Sequence, residues 1–340
     1  MAASITLKPT MFFSLSRNLL KQQLIKTTLR NFCASVEAVE RDPFPIFLDQ
    51  NVQQLLHRVT GFDPLKVAGP QKRKLKRPTY KLLTDEELEQ DIKKANERLQ
   101  ARLQIPPYMN PRKPKLTPLI TDPDLAGFDK SDYVFVDVSF GLHDRKRSVV
   151  IRDPQGTLKE ASWDVKERMN QIFNPKEGKQ YFKPKMFEEQ ILEKLIADGK
   201  YVYILDRACC QFEPDDPDFI RTTHRVYNAI NSKKDFDVLR STRHFGSIAF
   251  YLTWNKMIDN LLLDMINRDL LSDAKDLVTL YCIIHPSSSC SQVIKELKDA
   301  QPEQIIKAYI TTDAKQKPEL ELSIQAFEDA KRSREKKKTG

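Results

Sequence analysis

Three groups of residues in this 340-residue chain have types and spacings that could do chemistry. Cys282, His285 and Cys290 stand as C-x2-H-x4-C, half of a zinc knuckle. A tetrahedral structural zinc site needs four ligands, and no fourth lies nearby. Cys282 also sits in the apolar run Leu280 to Ile284, where a cysteine packs as a small hydrophobe. Cys209 and Cys210 are neighbours, which on a helix point about 100° apart, and no CxxC is present. Glu213, Asp215, Asp216 and Asp218 could gather a cation, but they lack EF-hand spacing and its glycine. Asp216-Pro217-Asp218 reads instead as a helix start, with an acidic N-cap, proline at N1 and a second acid. The sequence therefore predicts no catalytic residue, no metal site and no cofactor.

The nine glycines exclude further chemistry. They stand at 61, 69, 127, 141, 156, 178, 199, 246 and 340, with no pair two, four or five residues apart. A dinucleotide fingerprint, a nucleophile elbow and a Walker A loop each require one of those spacings. None of the five histidines opens an HExxH.

The strongest functional signal is basic. Lys72, Arg73, Lys74, Lys76, Arg77 and Lys81 accompany Tyr80 in a segment with no acid until Asp85. Arg112, Lys113 and Lys115 lie in a stretch, 106 to 123, holding six prolines. Arg240, Arg243 and His244 fall between two predicted helices, where they could clamp phosphates or cap helix ends. Cations on flexible, proline-punctuated chain can neutralise nucleic-acid phosphates without a preformed pocket, so these thirteen residues are candidate RNA contacts. A solvated charged linker is the competing reading of each segment.

The elements that must position them follow from periodicity and punctuation. Residues 1–35 carry Lys8, Arg17, Lys21, Lys26 and Arg30 with no acid, and an amphipathic spacing of Phe and Leu, the make-up of a mitochondrial presequence. Those cations account for more than half of the net charge of +9. Residues 36–130 read as an extension with a helix over Phe47 to Val59, a second helix opened by the Thr84/Glu87 capping box, and the proline-rich linker. Strands are predicted over Tyr133 to Ser139, Ser148 to Arg152 and Thr157 to Lys159, forming a small β unit within 131–161. Residues 162–286 read as helical hairpins, with Tyr201 to Phe212 buried and helices over Phe245 to Trp254, Lys256 to Leu271 and Asp273 to His285. Asn255 and Ser272 are the expected caps. Within 287–330, residues 318–328 fit helix or strand, and the lysine-rich segment 331–340 is expected to be disordered when free. The fold class is α+β, predominantly α: a helical-hairpin body, a small antiparallel β unit, and extended N- and C-terminal segments. No apolar run approaches the roughly 20 residues of a membrane span.

Several strings then carry a resemblance. Pro78-Thr79-Tyr80-Lys81-Leu82, Tyr133-Val134-Phe135, Gly156-Thr157-Leu158 with Ala161-Ser162-Trp163, and Pro175-Lys176-Glu177-Gly178 occur in order. Gln211-Phe212-Glu213-Pro214-Asp215, Leu239-Arg240-Ser241-Thr242-Arg243 with Phe245-Gly246, and Arg268-Asp269-Leu270 follow. From about residue 45 to 330 the chain resembles the family of mitochondria-specific small-subunit ribosomal protein twenty-two. The resemblance implies a structural component of the mitochondrial ribosome, located in the matrix, with small-subunit rRNA and other small-subunit proteins as partners. It implies no catalysis and no obligatory cofactor. A free helical-repeat RNA-binding or translation factor of the matrix is the alternative.

Overall fold

Asp49 decides how the described chain begins. Its carboxylate accepts from the Asn51 amide at 3.1 Å, so the helix expected from Phe47 begins instead at Gln50 as α2, Gln50–Thr60, and Phe47 ends a separate short helix, α1, Phe44–Phe47. The computed structural model describes residues 41–69, 77, 79–115, 117–127, 130–296 and 301–339. The expected presequence thus falls outside the described residues. All the elements below belong to the unit Pro43–Gly340. In α2, Val52, Leu55, Leu56 and Val59 recur at helical spacing and are buried, and Gly61 follows its end at φ +71°. A short α3, Pro64–Ala68, and α4, Asp85–Ala101, come next. The α4 capping box is present: Thr84 N–H donates to Glu87 Oε2 at 3.0 Å, and Glu87 N–H to Thr84 Oγ1 at 3.4 Å. No residue of α4 is buried.

The sheet has one strand more than the sequence suggests. Strands β1 (Pro118–Thr121), β2 (Tyr133–Val136), β3 (Val149–Arg152) and β4 (Thr157–Glu160) are antiparallel in the order β1-β4-β3-β2. β1 lies inside the proline-rich stretch read as linker. Proline is tolerated there because it opens an edge strand, where its missing amide costs no ladder bond. The turn between β3 and β4 requires glycine: Gly156 has φ +79°, and a Cβ there would lie 2.2 Å from the Asp122 carbonyl oxygen. Asp153 Oδ1 closes the same turn by accepting from Gln155 and Thr157 amides at 3.1 and 2.9 Å.

Helices fill the rest: α5 (Trp163–Phe173), α6 (Glu189–Ala197), α7 (Tyr201–Gln211), α8 (Pro217–Lys233), α9 (Arg243–Trp254), α10 (Asp259–Asn267), α11 (Leu271–Ile284), α12 (Ser289–Glu296), α13 (Pro302–Thr312) and α14 (Lys317–Thr339). The Asp216 cap is as the sequence predicts, its carboxylate accepting from the Asp218 amide at 2.8 Å. Other boundaries differ. Thr242 caps α9, Asn255 closes rather than opens a helix, and Ser272 lies inside α11, whose N-cap is Leu270. In α7, Tyr201, Ile204 and Leu205 are buried, but Tyr203 is exposed.

α9 is the centre of the core, buried from His244 to Thr253, and α2 and α11 pack on it and on each other. A strap of chain after α4 crosses it. Leu103 and Ile105 are buried, Ser247 Oγ donates to the Pro106 carbonyl at 2.9 Å, and Tyr108 packs among His224, Phe250, Tyr251 and Trp254. Gly246 makes the crossing possible: a Cβ there would meet Ile105 Cδ1, Cγ1 and Cγ2 at 2.5, 3.0 and 3.1 Å.

Asp259 fastens the C-terminal helices. Its carboxylate accepts from the Tyr309 hydroxyl at 2.6 Å and from the Lys315 and Gln316 amides at 2.7 and 2.9 Å. The 318–328 ambiguity resolves as helix, since Leu320 and Ile324 are buried while Leu322, which a strand would place beside them, is 68% exposed. Contrary to the expected disorder, α14 continues to Thr339. Lys331 reaches Glu303 at 2.7 Å and Arg334 reaches Asp269 at 3.0 Å, so the helix has anchors beyond its apolar part. Among the described residues, no helix is long and apolar enough to cross a membrane.

Two stability predictions arise here. Gly246→Ala gains about 1 kcal/mol of helix propensity but drives a Cβ into the buried Ile105 side chain, for a net loss of about 1–3 kcal/mol. Urea unfolding will read this, and Ile105→Val in the same chain will recover part of the loss. His224, between Tyr108 and Tyr251, has its pKa lowered to about 4 by burial, against 6.5 for the free imidazole. Its contribution to stability is complete above pH 6.5 and disappears as pH falls toward 4. His224→Phe, which keeps the ring contacts, will flatten that part of the stability–pH curve.

Candidate nucleic-acid interface

Of the first basic segment, Lys72, Arg73, Lys74 and Lys76 lie outside the described residues. Arg77, Tyr80 and Lys81 are exposed, Tyr80 by 95% of its surface. Lys81 stands 3.8 Å from Asp91, a weak and solvated pair.

The second segment is built into the fold around Trp163, in the first turn of α5. The indole Nε1–H donates to the Lys113 carbonyl at 2.9 Å, holding the segment against the ring. Three cations face that ring: the Arg112 guanidinium at 4.7 Å, Lys166 Nζ at 5.3 Å and Lys115 Nζ at 5.5 Å from its centroid. They are not equivalent. Arg112 is buried and bridges Glu167 and Asp216, the latter at 2.6 Å, while its backbone N–H donates to the Asp215 carbonyl at 2.8 Å. Lys115 and Lys166 have no carboxylate within ion-pair distance among the described residues. Lys113 is likewise unpaired and exposed. Burial, and then the neighbouring charges of Lys115, Arg112 and Arg145, hold the Lys166 ammonium below its ordinary pKa. Glu160 offsets part of this charge, and what remains on Lys113, Lys115 and Lys166 attracts an external anion.

Lys166 was not among the candidate residues read from the sequence. Its signal is its place three residues after Trp163 on the predicted helix, which puts both on one face.

The third segment turns inward. Arg240 pairs with Asp273, and its guanidinium lies 5.5 Å from the Phe245 ring centroid. Arg243 donates to Asp206 Oδ1 at 2.7 Å and His244 Nε2–H to the same oxygen at 2.9 Å. Burial works to raise the Asp206 carboxyl, but the hydrogen bonds and charges of His244 and Arg243 prevail and lower it. The outer side of this group faces a cleft of about 730 Å³ between the strap and α7. Lys66, Arg102, Lys176, Lys179 and Arg243 on its walls outnumber Asp206 and Glu213, so the cleft too is basic.

A second feature of the Trp163 region is structural. Arg145 pairs with Asp215, Lys176 with Asp144 at 2.9 Å and Glu213 at 3.3 Å, and Lys179 with Glu167 at 3.2 Å. Together with Arg112 these pairs join the β2–β3 loop, α5 and the α7–α8 loop. Among the described residues, no group of three or more His, Cys, Asp or Glu side chains is placed to hold a metal ion.

Fold and site together define a helix-rich protein in which lysines unpaired among the described residues stand beside an ion-paired joint. A family model described as mitochondrial 28S ribosomal protein S22 matches residues 45–286. The bovine small ribosomal subunit protein mS22 is 40% identical over 305 residues, covering 89% of this chain and 85% of that one. The mouse protein of the same name is 38% identical over 285 residues, covering 84% and 79%. This chain belongs to the mitochondrial ribosomal protein S22 family.

The buried guanidinium gives a direct test of the joint. Arg112→Ala leaves Glu167 and Asp216 without their shared cation and will cost about 3–5 kcal/mol of stability. Chemical denaturation, with trypsin cleavage near 113–115 as a local reporter, will measure it.

Proposed function

We propose that this chain serves as a structural component of the small subunit of the mitochondrial ribosome, in the matrix, supporting subunit assembly and mitochondrial translation. Its partners there are the small-subunit rRNA and neighbouring small-subunit proteins. The observation that carries this reading is the family match, which runs from α1 past the end of α11 and so spans the sheet, the Trp163 cluster and the helical core. A free matrix RNA-binding factor is not favoured by relatives that are named as ribosomal subunit proteins.

Within that role, the RNA-facing residues are the lysines around Trp163 that have no carboxylate partner among the described residues, together with the basic segment before Asp85. Lys113, Lys115 and Lys166 form one group around Trp163, and Arg77, Tyr80 and Lys81, continuous with Lys72, Arg73, Lys74 and Lys76, form another. Arg112, Arg240, Arg243 and His244, as candidates in the same set, act by holding these segments in place, since their side chains are occupied by carboxylates. Phosphates beside Lys115 and Lys166 would relieve the repulsion between those two ammonium groups, and the exposed Tyr80 ring offers a surface on which a base can stack. Aliphatic and aromatic patches such as Val134, Phe135 and Phe140 suit neighbouring proteins rather than RNA.

Gradient sedimentation of a matrix lysate, with and without ribonuclease, tests the whole reading. The chain will travel with the small subunit and shift after ribonuclease; a peak in the light fractions would instead support the free-factor reading. The triple substitution Lys113→Ala, Lys115→Ala, Lys166→Ala will leave the chain folded and weaken its binding to small-subunit rRNA. The slope of log K against log salt will fall by about 0.7–0.9 for each phosphate that these lysines neutralise. An unchanged slope would show that these three lysines do not touch phosphates.

A further inference from the structure

The half-knuckle Cys282, His285 and Cys290 does not converge on a centre. His285 Nε2–H donates to the Thr253 carbonyl at 2.9 Å. What the fold does bring together is the two sulfurs. Cys282 lies in the last turn of α11 and Cys290 in the first turn of α12, with Pro286 in the turn between. The Cys282 thiol donates to Cys290 Sγ across 3.8 Å. Cys290 is fully buried, and its backbone N–H donates to Asp313 Oδ2 at 3.2 Å, which ties this turn to the end of α13. Cys282 is only half-buried.

We propose that Cys282 and Cys290 are a reversible dithiol–disulfide pair, oxidised by hydrogen peroxide, that fastens α11 to α12. A disulfide has its sulfurs about 2.05 Å apart, so forming the bond means shortening the present 3.8 Å contact. The charge distribution suits the reaction. The hydrogen bond from Cys282 holds the Cys290 thiol below its ordinary range, and the same contact, with burial, raises Cys282. Any single thiolate of the pair therefore resides on Cys290, the sulfur that must act as nucleophile in the closing step.

The chemistry balances with one peroxide. In the singly deprotonated pair, Cys282, the sulfur that solvent reaches, passes its proton across the 3.8 Å contact to Cys290 as it attacks a peroxide oxygen and the O–O bond breaks. The departing hydroxide takes a proton from solvent as water, leaving Cys282 as a sulfenic acid. Cys290 then attacks the Cys282 sulfur, the S–O bond breaks, and the second hydroxide leaves with the Cys290 proton as water. Two thiols supply two electrons, and one peroxide becomes two waters. Cys209 and Cys210, adjacent on α7, lack this facing arrangement, and burial pushes the Cys209 thiol up to about 11.

The experiment uses the full chain. It is treated with equimolar hydrogen peroxide, blocked with N-ethylmaleimide, digested with trypsin without reduction and analysed by mass spectrometry. Both cysteines fall in one tryptic peptide, Asp276 to Lys295. That peptide will emerge unblocked and two hydrogens lighter than the dithiol, and will take up two blocking groups once dithiothreitol is added. The peptide holding Cys209 and Cys210 will carry two blocking groups throughout. In Cys290→Ser, Cys282 will remain a sulfenic acid that dimedone traps. Two blocking groups on the 276–295 peptide after peroxide, a sulfinic acid on Cys282 in the unaltered chain, or a bridge from either sulfur to a different cysteine would each overturn the proposal.

Discussion

A missing side chain at Gly246 holds the architecture together. Because α9 presents bare backbone there, Ile105 lies against the helix and the strap from Leu103 to Arg112 runs across the core instead of around it. Each later placement depends on that path. Ser247 catches the Pro106 carbonyl, Tyr108 fills the aromatic group of α8 and α9, and Arg112 arrives at Asp215 and Asp216. Three residues further on, Lys115 reaches Trp163. The cationic cluster is thus positioned by packing in the core together with the Arg112 ion pairs.

The joint between sheet and helices is of a different kind. The sheet buries little apolar surface: among its strand residues only Val149 is fully buried, with Ala161 just beyond β4. What connects the β2–β3 loop to α5 and to the α7–α8 loop is the ladder of Arg112, Arg145, Lys176 and Lys179 with Glu167, Asp144, Glu213, Asp215 and Asp216. Such a joint is directional, because each cation accepts few geometries, and it weakens where water and salt reach its outer pairs. Its net stabilisation is modest; its value lies in fixing one orientation.

What was legible in the sequence was local. Thr84 and Glu87, or Asp216, Pro217 and Asp218, carry their physics within four residues and behave as read. The β3–β4 turn is equally self-contained. β1 was hidden because its pairing partner, β4, lies some forty residues on, and no alternation in Pro118–Thr121 announces it. Asp206 lies 37 residues from Arg243 and Asp273 33 from Arg240, so only tertiary structure could separate paired cations from unpaired ones. The start of α2 at Asp49 is equally local, since Asp before a polar first turn is a cap signal.

The partners of α2 raise a matter of timing. Arg58 meets Asp276 218 residues later, and the Thr60 carbonyl accepts from the Ser241 amide. A chain made from its N-terminus presents α2 long before α9 and α11 exist. Val52, Leu55, Leu56 and Val59 then have nothing to cover them, and contacts this distant in sequence close slowly. Until those helices form, the apolar face of α2 stays open, so the core closes only when nearly the whole chain is present.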